Sequence, residues 1–104
     1  HTQKDIASFI GKSLEDKGIS HQAPLVIDDL TYDFVMNYPH IHPITYLFVN
    51  QDVARDMPAI IKKNNIHYGV TRCSSSQLLK LIPTFIILET VKFQAIDDIC
   101  IFSI

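Results

Sequence analysis

Basic excess, cysteine and long apolar runs are all scarce in this chain of 104 residues. Nine Lys and Arg face eleven Asp and Glu, for a net charge of −2. A protein that holds nucleic acid chiefly through phosphates shows basic excess, because each neutralised phosphate releases counterions. Binding of that kind would here need a local patch. The two cysteines, Cys73 and Cys100, form no CxxC and fall in different predicted elements. Two free thiols in a reducing compartment is the reading this favours. The longest apolar runs, Thr84–Leu88 and Ile99–Phe102, are far too short to span a bilayer. Lys4 and Asp5 precede an amphipathic rather than a continuous apolar segment, which is not the pattern of a signal peptide. The expected setting is therefore intracellular, cytoplasmic or nuclear, without a membrane partner. No internal repeat and no linker long enough to divide the chain is found, so residues 1–104 are expected to form one domain.

What is present is apolar. Hydrophobic residues make up 47% of the chain, enough to bury a core without staples, while charged residues make up only 19%. The mean hydropathy of +0.15 is high for a small domain. Part of the surface is thus expected to be apolar and covered by a partner.

The segment Tyr46–Ile82 sets the architecture. The apolar run Ile44–Val49, β-branched and aromatic, predicts a strand that leads into the polar turn Asn50–Asp52. A helix follows, capped by Asp52 or Asp56, with Pro58 expected in its first turn, where proline is tolerated. Lys62 and Lys63 fall near its negative C-terminal end. His67–Thr71 predicts the next strand, and Ser74–Ser76 a cap for a short helix over Gln77–Ile82, broken by Pro83. This strand–helix alternation builds a sheet with helices packed on it.

On either side the pattern continues. Thr2–Lys17 predicts a first helix, with Ile6, Phe9, Ile10, Ser13 and Leu14 on one face and Gly18 as its stop. Leu25–Val26–Ile27 predicts a short buried strand, and Asp28–Asp29 the cap of a helix carrying Leu30, Phe34, Val35 and Tyr38. Thr84–Glu89 predicts a further strand, 91–95 is ambiguous, and Ile99, Ile101 and Ile104 suggest a paired final strand. The expected fold is α/β, a three-layer α/β/α sandwich with a four- to five-stranded mixed sheet.

Candidate chemistry is thin. His40 and His42 form an H-x-H pair, but a zinc site needs a third and fourth ligand, and an exposed loop explains the pair more simply. Cys73, beside Arg72 at an expected helix N-terminus, has the setting of a lowered thiol pKa but no base assigned by sequence. A small residue in a serine-rich cap explains it better. The run Ser74–Ser76 lacks the glycines of a phosphate-cradling loop, though it suits a kinase acceptor. Asp28–Asp29 and Asp97–Asp98 are adjacent pairs whose side chains diverge, so capping and turn formation explain them better than acid–base work. Arg55, Lys62 and Lys63 form the one basic cluster, more simply a solvated helix end than a nucleic-acid contact. No catalytic residue, metal site or cofactor is assigned.

The order of elements resembles the kink-turn-binding ribosomal proteins of the L seven Ae and L thirty e type, an α/β/α superfamily. Three features carry the resemblance: strand Tyr46–Val49 with its turn Asn50–Gln51–Asp52; Met57–Pro58 followed by Ala59–Ile60–Ile61; and Asn65–Ile66–His67–Tyr68 entering a strand and a Ser-rich turn. RNA-binding members carry a Gly–Thr/Ile–Asn–Glu signature where this chain reads Asp28–Asp29–Leu30–Thr31, an acidic pair that would repel phosphate. The second RNA-contacting loop of the family matches Thr71–Arg72–Cys73–Ser74–Ser75–Ser76. A further similarity, of Tyr68–Gly69–Val70 and Ile82–Pro83–Thr84–Phe85 to the cis-proline region of thioredoxin-like proteins, would imply a redox-inactive member, since no CxxC precedes Tyr46.

The resemblance implies a non-enzymatic binding module, RNA- or ribonucleoprotein-associated. Its contact residues would be Arg55, Lys62, Lys63, Thr71, Arg72, Ser74, Ser75 and Ser76. The acidic corner at Asp28–Asp29 favours instead a protein–protein adaptor on the same fold that has lost RNA binding. A redox-inactive thioredoxin-like assembly factor is the third reading, for which the peptide bond before Pro83 would be cis.

Overall fold

The computed structural model describes residues 3–20, 23–28, 51–74, 79–82, 84–92 and 98–104, and side chains from residue 8 and, in the second helix, from residue 56. The helix and strand read over 29–49, Ser75, Ser76, Pro83 and the H-x-H pair lie outside the described residues. The elements are α1 (Gln3–Asp16), β1 (Leu25–Ile27), α2 (Gln51–Lys63), β2 (Tyr68–Arg72), β3 (Ile86–Val91) and β4 (Ile99–Ser103). The chain is α/β, with a mixed four-stranded sheet in the order β1-β2-β4-β3. β1 runs parallel to β2, whereas β4 is antiparallel to both β2 and β3.

Side-chain alternation along the strands divides the core into two clusters. Leu25, Ile27, Val70, Ile99 and Ile101 face one way and pack with Ile10, Leu14 and Ile19 from α1 and its exit. Val26 and Phe102 face the other way and pack with Met57 and Ile61 of α2, together with Ile66 and Ile82. Each face of the sheet thus has its own helix. A complete three-layer sandwich would need the elements read over 29–49. Strand β4 is buried from Ile99 to Phe102, as a strand paired on both sides and covered on both faces must be. The final strand predicted from its apolar alternation is therefore central.

Both helices stop by the same device. Gly18 has φ +72° and Asn65 has φ +54°. The residue after each donates five positions back, Ile19 N–H to Leu14 O at 2.9 Å and Ile66 N–H to Ile61 O at 3.0 Å. This is the Schellman arrangement, in which a left-handed residue turns the chain and the next apolar residue packs onto the last turn. Ile19 and Leu14 share one cluster, and Ile66 and Ile61 share the other.

Two local expectations are corrected. Pro58 stands well inside α2 and not in its first turn. Its missing N–H removes one helical bond, and it is exposed, where water can compensate. Phe9, placed by spacing on the apolar face of α1, is 49% exposed, while Ser13 on that face is buried. Ser13 is tolerated there because its hydroxyl donates to Glu89 Oε2 of β3 at 2.9 Å.

Gly69 allows a close approach in the sheet. It is the cross-strand partner of Phe102. A Cβ at this position would collide with Cζ, Cε1 and Cε2 of the Phe102 ring. Phe102 therefore lies over the bare backbone of β2 and meets Phe85 edge-on, with ring centroids 5.5 Å apart.

Candidate functional site

In α/β folds the carboxyl ends of parallel strands are the usual place for ligands. Here β1 and β2 end side by side, which brings Asp28 to the start of the loop predicted to make contacts, Thr71–Ser76. Asp28 is buried, and its Oδ2 accepts from the backbone N–H of Arg72 at 2.9 Å and from Arg72 Nε at 3.1 Å. The Arg72 side chain is 32% exposed and forms an ion pair with this carboxylate. A carboxylate out of water needs such a partner, and a guanidinium supplies charge and directed donors together.

The loop next to this pair is closed by a covalent bond. Cys73 and Cys100 form a disulfide, so the expectation of two free thiols is overturned. The bridge follows from the topology: β4 runs antiparallel to β2 and sets Thr71 opposite Cys100. The ladder continues one step past Arg72, where Cys73 N–H donates to Asp98 O at 2.7 Å. Cys73 and Cys100 thus sit diagonally across two paired strands, on one face. A separation of 27 residues gave no hint of this, because the pairing depends on which strands become neighbours.

The other predicted contact residues fare differently. Thr71 is fully buried, and its hydroxyl donates to Arg72 O at 3.1 Å. It is a core residue and presents nothing to a partner. Lys62 and Lys63 are exposed in the last turn of α2, and Ser74 is exposed in the turn after Cys73. Arg55 lies on α2, with its side chain outside the described residues, as are Ser75 and Ser76. Asp28, read as half of a repelling acidic pair, is neutralised by Arg72.

A second feature escaped the site reading. Ile86, Ile87 and Leu88 are 69%, 51% and 43% exposed. They form the first half of β3, which closes the described sheet on one side and pairs there with β4 alone. The register shifts between Ile87 and Glu89, so the strand is irregular at Leu88. Past that point Glu89 is tied to α1 by Ser13 and by an ion pair with Lys17. Lys17, with help from Ser13, holds the Glu89 carboxyl below its ordinary pKa. The two halves of β3 therefore differ: one is anchored to α1, and the other projects apolar side chains into solvent. The high mean hydropathy was the sequence signal for such a patch, but it could not say where.

Among the described residues no three His, Cys, Asp or Glu side chains converge as a metal site would require, and no helix is long and apolar enough to cross a membrane. No family model, curated protein or solved structure matches the chain.

Proposed function

We propose that this chain is a non-enzymatic protein-binding module and that the outer half of β3 is its docking edge, taking an extended apolar segment of a partner protein. The observation that carries this reading is the exposure of three consecutive aliphatic residues, Ile86, Ile87 and Leu88, on a strand that among the described residues pairs with β4 alone. Natural edge strands are normally blunted by charge, proline or cover, because an open edge templates pairing. Each aliphatic side chain gains roughly 1.5–3 kcal/mol on full burial. An added strand would cover side chains on both faces of this edge at once. The irregularity at Leu88 keeps any added ladder short, so side-chain burial would supply most of the affinity.

The RNA-associated reading retains one support, the exposed pair Lys62 and Lys63. It loses two of its expected contacts, since Thr71 is buried and Arg72 is engaged by Asp28. As for setting, the Cys73–Cys100 bridge favours an oxidising compartment over cytosol or nucleus, where thiol pools keep such bonds reduced.

The test is a titration of the full chain with extended peptides of alternating valine and threonine and, separately, with single-stranded RNA at low salt. Peptide binding that is lost in Ile86→Lys is the expected result. RNA affinity that falls with log salt and depends on Lys62 and Lys63 would replace this reading with the nucleic-acid one. Concentration-dependent dimerisation abolished by Ile86→Lys, without peptide binding, would replace the partner by a second copy.

A further inference from the structure

We propose that Cys73 is a thiol-exchange site: a small thiol of the glutathione class opens the Cys73–Cys100 bridge by attack at Cys73, with Cys100 as the leaving sulfur. The assignment rests on the different settings of the two sulfurs. Cys73 lies in the turn beyond β2 and is only half-buried, whereas Cys100 is 3% exposed in the central strand. A thiolate must approach its target sulfur along the S–S axis, so access decides which sulfur is attacked.

The leaving side is also prepared. Thr90 is the cross-strand partner of Cys100, and its Oγ1 lies 3.8 Å from Cys100 Sγ. When the bridge opens, that hydroxyl is placed to donate to the developing thiolate, and a better stabilised leaving thiolate departs faster. In the step itself, the external thiolate forms a new S–S bond to Cys73 Sγ as the old bond breaks. The electron pair goes to Cys100 Sγ. Return attack by the Cys100 thiolate on Cys73 Sγ expels the small thiol and restores the bridge. If a second small thiolate instead attacks the external sulfur of the mixed disulfide, Cys73 leaves as thiolate. The protein is then reduced by two electrons while two small thiols are oxidised to their disulfide.

The surroundings have ties besides the bridge. β2 and β4 are paired from Tyr68↔Ser103 to Arg72↔Ile99, Cys73 N–H is held by Asp98 O, and Asp28 holds Arg72. Opening is therefore a local and reversible event at a preformed site.

The experiment incubates the oxidised full chain with excess reduced glutathione under native conditions, quenches with acid and alkylating agent, and maps adducts by mass spectrometry. The expected result is a glutathione adduct on Cys73 and none on Cys100. In Cys100→Ser treated with glutathione disulfide, the adduct at Cys73 persists. Thr90 is exposed, so Thr90→Val should fold normally and open about threefold or more slowly. Adducts first on Cys100, exchange only after denaturant is added, or an unchanged opening rate in Thr90→Val would overturn the proposal. The wild-type mapping needs no variant to fold.

Discussion

At the carboxyl ends of β1 and β2, polar side chains are used inside the molecule, whereas along the outer half of β3, apolar side chains are left outside. The first region has a buried carboxylate met by Arg72, a buried threonine and a disulfide, with the charge of Asp28 and the hydroxyl of Thr71 satisfied within the fold. The second has Ile86, Ile87 and Leu88 facing water. Thr71 and Arg72 of the polar loop have partners within the fold. An apolar strand is not a core strand when it stands at an edge. Residue type alone shows neither placement, because both depend on strand order.

The largest expected effect breaks the first region. Replacing Cys100 by Ser removes the cross-link, and on the loop-closure account a separation of 27 residues is worth about 3.5 kcal/mol. Urea unfolding of oxidised wild type against Cys100→Ser measures it. Arg72→Ala comes next, with a loss of about 3 kcal/mol, because Asp28 would keep its burial without the guanidinium. Had Arg72 been a solvated contact residue, the change would fall within about 0.5 kcal/mol.

Between the two regions, Gly69→Ala tests how tightly the sheet is closed. The new methyl would strike the Phe102 ring, and overpacking of this kind costs about 2 kcal/mol. A neutral result would mean that Phe102 can move aside.

Much of the fold is legible in the sequence, and the reasons are local. The stop at Gly18, the buried run Leu25–Ile27, the helix ahead of Lys62 and Lys63 and the alternation of Ile99 and Ile101 each depend on neighbours within a few residues. What is not legible depends on long-range placement. That Cys73 meets Cys100 requires β4 to be the neighbour of β2. That Asp28 meets Arg72 requires β1 to lie parallel to β2 in a particular register. That Ile86–Leu88 are exposed requires β3 to lie at the side of the described sheet. The strand predicted over Thr84–Glu89 forms two residues later, over Ile86–Val91, because pairing with β4 sets its limits.

A smaller effect probes the anchored half of β3. The Glu89 carboxyl has its pKa lowered by Lys17 and Ser13, so its contribution is present above the unfolded value near 4.5 and is lost as pH falls through the folded one. Solvent screening at this partly exposed pair limits the contribution to under about 1 kcal/mol. Thermal melts of Glu89→Gln should lie slightly below wild type at pH 7 and coincide with it at pH 2. The smallest effect on stability belongs to the outer half. Ile86→Lys should change the unfolding free energy by no more than about 0.5 kcal/mol, while abolishing association with extended apolar peptides.

The contrast between the two regions is tested most directly by adding a soluble gadolinium chelate to a methyl-labelled sample and recording the broadening of each methyl resonance. Strong broadening is expected at Ile86, Ile87 and Leu88, with Thr71 and Ile101 left sharp. A broadened Thr71 methyl beside protected Ile86–Leu88 methyls would contradict it.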